Sequence, residues 1–254
     1  MSILTRTPQY FANTGVGKRY DQYRPKAHQA LFQIMKRHLP AKHFGRAVDV
    51  ACGTGDSTVP LLDIAQEVVG IDSSNEMLII AQQRGLSVSK ADYTELPQQG
   101  RFDLISTCMA FHWFDGVRAV AAYKAASHPG AIWIIYNFAF AGHSTSHCFN
   151  SWFRDEYLKC YPSPPRARYE DMTLAEDPAL SLLASEKGCL PITFTLDALI
   201  GYLTTQSNIE EAVRKGQTLD SIAVELRDQL SQIDFSGEFK YAYSYDILQY
   251  ADRC

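Results

Sequence analysis

The sequence predicts an α/β fold: a doubly wound, mostly parallel, seven-stranded sheet covered by helices on both faces, with a helical cap inserted late in the chain. Three observations carry that prediction. Short apolar runs alternate with stretches of helical periodicity as far as about residue 140, the pattern of parallel strands buried on both faces. Val48-Asp49-Val50-Ala51-Cys52-Gly53-Thr54-Gly55 runs from a buried strand straight into a glycine turn, where side-chain-free residues let the backbone approach a ligand. Val68-Val69-Gly70-Ile71-Asp72 follows, and its closing carboxylate stands 19 positions after Gly53.

Pro25 suits the first turn of a helix that carries Ala27, Leu31, Ile34, Met35 and His38 on one face. Strand one is expected at 46–51 and a helix at 56–66, capped by Asp56 or Ser57, with Pro60 near enough to its start to be tolerated. Strand two follows at 68–72, then a helix opened by Ser73-Ser74-Asn75 and carrying Met77 to Ala81. Strands three, four and five are expected at 87–91, 102–107 and 130–137, with a helix at 116–127 between the last two. Ile192-Thr193-Phe194-Thr195-Leu196 reads as a sixth strand, Leu219 to Leu230 as an amphipathic helix, and Phe239 to Tyr250 as a closing strand. The chain is read as a single domain over 1–254, with its core at about 40–140, a cap at about 141–190 around the prolines of 162–165, and closing elements over 191–254.

The strand-end residues point first to a nucleoside. A carboxylate at the end of strand two can accept hydrogen bonds from both ribose hydroxyls. A dinucleotide fingerprint requires a small residue at position 58, which is Thr58, and no Walker phosphate loop occurs. Asp49 lies within a strand, where a carboxylate must be hydrogen-bonded, and it is expected to orient the amides of the glycine loop. Cys52 and Cys108 are read as small buried residues whose backbones face the ligand.

Asp49, Gly53 and Gly55 match D-x-x-x-G-x-G, and the stretch resembles the first motif of the class I S-adenosylmethionine-dependent methyltransferases, a Rossmann-like family. Asp92-Tyr93 resembles that family's third-strand turn, where an acid meets the adenine amine and the next N–H a ring nitrogen. Phe102 to Asp115 resembles the fourth strand and its exit, ending in the specific hexad A-x-H-W-F-D. Tyr20-Asp21-Gln22-Tyr23-Arg24-Pro25 resembles the Y-x-x-Y-R-P of the trans-aconitate methyltransferase-like small-molecule branch. Leu199 to Ser207 resembles that branch's G-Y-L-x-S-W-S segment, with Gln206 in place of Trp and Thr205 in place of Ser.

The resemblance implies S-adenosyl-L-methionine as cofactor and an antiparallel last strand. It implies cofactor contacts at Tyr20, Arg24, Asp49, Ala51, Cys52, Gly53, Gly55, Asp72, Ser73, Met77, Asp92, Tyr93, Cys108 and Trp113, with Trp113 and Phe114 packed beneath the cofactor. Residues 1–24 are expected to order over it, with Gly15 and Gly17 as joints. The acceptor is expected to be a small organic molecule, most plausibly a carboxylic acid, with Arg24 as its clamp; a hydroxyl acceptor would call on His112 as base. Arg166 and Arg168 are further candidates to meet an anion.

The composition fits such a protein. A chain of 254 residues with 46% hydrophobic and 20% charged residues has an ordinary globular balance. A net charge of −4 without a basic stripe argues against nucleic acid as partner. Six cysteines without C-x-x-C pairs fit a cytoplasmic protein, monomeric or homodimeric, and Ala131 to Tyr136 is too short to span a membrane. His143 and His147 stand four apart, but no third ligand is evident and no metal is expected. The alternatives are a nucleic-acid (tRNA) methyltransferase, although Met109-Ala110-Phe111 stands where amino-methylating enzymes carry [DN]-P-P-[YF], and a noncatalytic S-adenosylmethionine-binding protein.

Overall fold

The computed structural model describes residues 15–40, 43–164, 174 and 177–251. Seven strands form one sheet in the order β3-β2-β1-β4-β5-β7-β6. They are β1 (Phe44–Val50), β2 (Ala65–Asp72), β3 (Val88–Lys90), β4 (Phe102–Cys108), β5 (Ser127–His143), β6 (Leu180–Ile192) and β7 (Phe239–Tyr250). The first five run parallel, while β7 is antiparallel to both β5 and β6. The chain steps outward from β1 through β2 to β3, then returns to β4 on the other side of β1. The topological switch point therefore lies between β1 and β4, where open α/β sheets form their ligand crevice.

Both faces of the central parallel strands are buried, as a parallel sheet requires. On β5, Ile132, Ile134 and Tyr136 enter one apolar cluster with Leu31, Phe32 and Met35 of α2 (His28–Lys36), whereas Trp133 and Ile135 enter the opposite cluster with Phe111 and Tyr123. Preceding α2 is α1 (Val16–Tyr23), whose last turn opens the motif that resembles Y-x-x-Y-R-P. The remaining helices are α3 (Asn75–Gln83), α4 (Gly116–Ala125), α5 (His147–Trp152), α6 (Leu158–Cys160), α7 (Leu196–Leu203), α8 (Ser207–Arg214) and α9 (Leu219–Leu230). A π-helical turn over Phe153–Tyr157 joins α5 to α6.

Several boundaries depart from the sequence reading for identifiable reasons. In place of a helix over 56–66 there is a 3-10 turn, Val59–Asp63: Pro60 has no N–H to donate, and the Ser57 and Thr58 hydroxyls are drawn to Asp49. The sixth strand is Leu180–Ile192, not 192–196. Thr195 caps α7 by accepting from the Ala198 N–H, so the alternating Thr-Phe-Thr is a helix entry. Consequently the end of β5 and much of β6 fall within the stretch read as a cap. Gly17 is no joint but lies inside α1, where a Cβ would collide with the Glu76 carbonyl of α3. Residues 1–14 of the expected lid, Pro165, and Arg166 and Arg168 lie outside the described residues.

Candidate active site

Two adjoining arrangements form at the carboxyl ends of the strands. The first is built around Asp72 at the end of β2. Its Oδ2 accepts from the Gly53 N–H at 2.9 Å and its Oδ1 from the Ser74 N–H at 2.8 Å. Burial raises the carboxyl's pKa, and the N–H groups of Ser74, Gly53 and Ser73 act against that rise. One carboxylate thus pins the glycine loop to the start of α3, and its remaining lone pairs can take ribose hydroxyls.

Gly53 has φ +55, and a Cβ placed on it would meet no atom within 4 Å, so the loop presents bare backbone to open space. Gly55, at φ +89, is held differently: a Cβ there would strike Leu86. An open backbone concavity beside a strand-end carboxylate fits the nucleoside part of S-adenosylmethionine.

Asp49 does not do what its position suggested. It is fully buried, and its Oδ2 accepts from the Ser57 and Thr58 hydroxyls at 2.6 and 2.7 Å rather than from loop amides. Burial pushes its carboxyl up to about 7 against those two hydrogen bonds. It supports the loop from beneath. Met77 is likewise buried, its N–H tied to the Ser74 hydroxyl at the start of α3.

Asp92 follows β3 and caps the 3-10 helix Tyr93–Gln99, accepting from the Thr94 N–H and hydroxyl, while its own N–H donates to Glu95. The Tyr93 ring stacks on Phe114 at 4.2 Å, and its hydroxyl accepts from the Asp115 N–H. Burial drives the Cys52 and Cys108 thiols well above their ordinary range, with Asp49 adding to both, so they are packing groups rather than nucleophiles.

The second arrangement is a cavity of about 270 Å³ lined by Tyr20, Arg24, Met109, His112, Trp113 and aromatic residues of β5, the π turn and α7. Four residues singled out from the sequence, Tyr20, Arg24, His112 and Trp113, meet here although more than 80 positions separate Arg24 from His112. Arg24 is only 8% exposed. Its Nη2 donates to the Thr205 carbonyl at 2.8 Å, and its guanidinium lies 4.7 Å from the Tyr20 ring centroid and 5.4 Å from that of Tyr202. Its Nε–H is buried without a partner, and among the described residues no carboxylate pairs with it. Tyr20 links the two arrangements: burial raises its hydroxyl's pKa, Arg24 opposes, and Cys108, Asp56 and Asp72 add to the rise.

Sequence reasoning missed Met109 and the ring cluster. Met109 follows β4 with φ +58, a left-handed conformation costly for a non-glycine residue, and Ala51 after β1 shares it. Nothing in a methionine signals that. It also missed an ionic network around the loop: Arg84, just after α3, binds the Thr54 carbonyl, Asp56 and Asp21 of α1, and Lys26 bridges Asp21 and Asp56.

His143, read beside His147 as a metal candidate, is consumed by structure. Its Nδ1 accepts from the Thr145 and Ser146 N–H groups, which leaves the proton on Nε2 to donate to the Phe235 carbonyl. Among the described residues no cluster of three or more His, Cys, Asp or Glu is placed to hold a metal ion, and no helix is long and apolar enough to cross a membrane.

Comparison with known proteins agrees with this geometry. Residues 47–130 match the model of a methyltransferase domain family. A Dictyostelium discoideum protein described as a methyltransferase is 23% identical over 79% of this chain and 78% of its own length. The trans-aconitate 2-methyltransferase of Rhodococcus jostii is 26% identical over 62% of this chain and 63% of its own length. Among solved structures, a methyltransferase from Anaeromyxobacter dehalogenans superposes with a TM-score of 0.60 at 21% identity, covering 90% of this chain and 97% of that one. Its strand order, its glycine loop and its strand-end carboxylate, together with these likenesses, support a class I S-adenosylmethionine-dependent methyltransferase.

Proposed function

We propose that this methyltransferase acts on a small carboxylic acid, making its methyl ester. The observation that carries the reading is Arg24, a buried guanidinium at the cavity wall with an unpartnered Nε–H and no described carboxylate to balance it. A charge withdrawn from water needs an anionic partner, and a carboxylate matches the guanidinium fork. The trans-aconitate 2-methyltransferase of Rhodococcus jostii, by its name, serves an acid of this kind.

When bound, S-adenosylmethionine supplies a methyl group on a sulfonium; an acceptor lone pair forms the new O–C bond while the S–C pair returns to sulfur. A carboxylate carries no proton to lose. The chain's residues therefore have positioning work to do: Arg24 fixes the acid, the Tyr20 and Tyr202 rings hold the guanidinium between them, and the aromatic wall excludes water. His112, in the same lining, would serve as base if the acceptor is a phenol.

Transfer of a radiolabelled methyl group across panels of organic acids, phenols, amines and tRNA tests the reading. Acids are expected to turn over, and Arg24→Lys, which keeps the charge but loses the fork, is expected to raise their KM about 10- to 100-fold. Turnover confined to phenols would shift the chemistry to His112. Turnover confined to tRNA would overturn the small-molecule assignment.

A further inference from the structure

We infer that the acid is a monocarboxylate with an aromatic or otherwise flat apolar body, held at one end by Arg24 and at the other by a cluster of rings. This rests on the carboxylate reading above and narrows it.

Charge comes first. Arg24 is the one permanent cation in the described lining, and one of its Nη2 donors is already spent on the Thr205 carbonyl. What remains suits a single carboxylate. The buried polar groups nearby are also committed: the Asn208 amide donates to the Tyr161 carbonyl and the Tyr157 hydroxyl, its oxygen accepts from the Ile209 N–H, and the Tyr157 hydroxyl donates to the Leu203 carbonyl. A second or third carboxylate would find rings and the side chains of Ser163, Gln206 and Ser207 but no second permanent cation, a large desolvation penalty.

Shape comes second. The π turn brings Phe153 and Tyr157 into the cavity wall, stacked 5.3 Å apart with 14° between their planes. Phe140 of β5 meets Phe153 edge-on at 5.1 Å and Tyr202 of α7 at 5.5 Å. Rings in these mutual orientations offer both faces and edges, the surfaces on which a flat unsaturated group packs best. A cavity of about 270 Å³ admits a small body of that kind.

The test uses the full chain with S-adenosylmethionine and follows S-adenosylhomocysteine release. Benzoate, cinnamate and indole-3-acetate are compared with butyrate, succinate and trans-aconitate. At least one aromatic monoacid is expected to exceed succinate and trans-aconitate by at least ~100-fold in kcat/KM, the scale set by one uncompensated buried charge. Phe153→Leu is expected to raise KM for that aromatic acid about tenfold more than it raises KM for butyrate. Should the variant fold poorly, calorimetric titration of the unmutated protein with the same acids in the presence of S-adenosylhomocysteine ranks their binding directly. Preference for trans-aconitate, still dependent on Arg24, would overturn this inference and leave the carboxylate reading standing. Butyrate equal to the aromatic acids would remove the role of the rings. Turnover of phenols or amines and of no acid would bring down the carboxylate reading itself.

Discussion

Replacing Asp72 by Asn changes almost no volume but takes one acceptor from a group whose two oxygens are both in use. Oδ2 receives the Gly53 N–H at 2.9 Å and Oδ1 the Ser74 N–H at 2.8 Å. Whichever way the amide turns, its NH2 faces a backbone donor, so either the glycine loop or the start of α3 loses its tether. The charge that strengthens any bond to the ribose hydroxyls disappears as well. A hydrogen bond to a charged group contributes roughly 1.5–3 kcal/mol, so two of them lost to the cofactor amount to roughly 3–6 kcal/mol, or about 10²- to 10⁴-fold in Kd. Calorimetric titration of the wild type and Asp72→Asn with S-adenosylhomocysteine measures this, with thermal melts to establish that the variant is folded. A folded variant whose Kd lies within about threefold of the wild type would refute the role given to Asp72.

Two further outcomes follow from buried groups and from α1. The Asp49 carboxyl sits at about 7 when folded against 3.8 unexposed to the fold, so its stabilising contribution is full below about pH 4 and is lost as pH rises through about 7. Relative to Asp49→Asn, the wild type should lose up to about 4 kcal/mol between pH 4 and 8, at about 1.36 kcal/mol per pK unit; His28, held down to about 4 by burial, cancels in that comparison, and parallel stability curves would refute the assignment. Because α1 carries Tyr20 of the cavity wall and is tied to the protein by Arg19 to Glu210 and by Asp21 to Arg84, hydrogen exchange over residues 16–24 should slow on adding S-adenosylhomocysteine. Unchanged protection there would mean that α1 does not close over the cofactor.

The sheet was legible because its signals are local. Apolar runs marked β1, β2 and β4, alternation marked β7, and Leu219–Leu230 was marked by its helical spacing. The pairing of glycine loop and carboxylate was legible for the same reason, since Gly53 closely follows β1, Asp72 ends β2, and the two meet in one hydrogen bond. Elements whose form is set from a distance were not. Thr193-Phe194-Thr195 alternates like a strand but leads into a helix whose cap it supplies, and residues 56–66 carry helical spacing that Asp49 overrides by recruiting Ser57 and Thr58. Arg24, Phe140, Phe153 and Tyr202 come from four separate elements, and no spacing rule joins them into one cavity.

The two left-handed residues show what this fold gives up to form a site. Ala51 and Met109 follow β1 and β4, the neighbouring strands between which the topology reverses, and each has φ 58. Such a conformation costs a non-glycine residue on the order of 1–2 kcal/mol, and glycine would relieve it. Both are held from outside. The residue after Ala51 donates its N–H to the Ile71 carbonyl, while Met109 donates to the Tyr136 carbonyl and its sulfur accepts from the Phe138 N–H. Neighbouring strands thus force both turns. The first swings the chain away so that Gly53 can face open space, and the second lets a long side chain line the cavity. A glycine at 109 would remove the strain and the lining together. The strained methionine is therefore better explained by the cavity it helps to close than by the stability of the sheet.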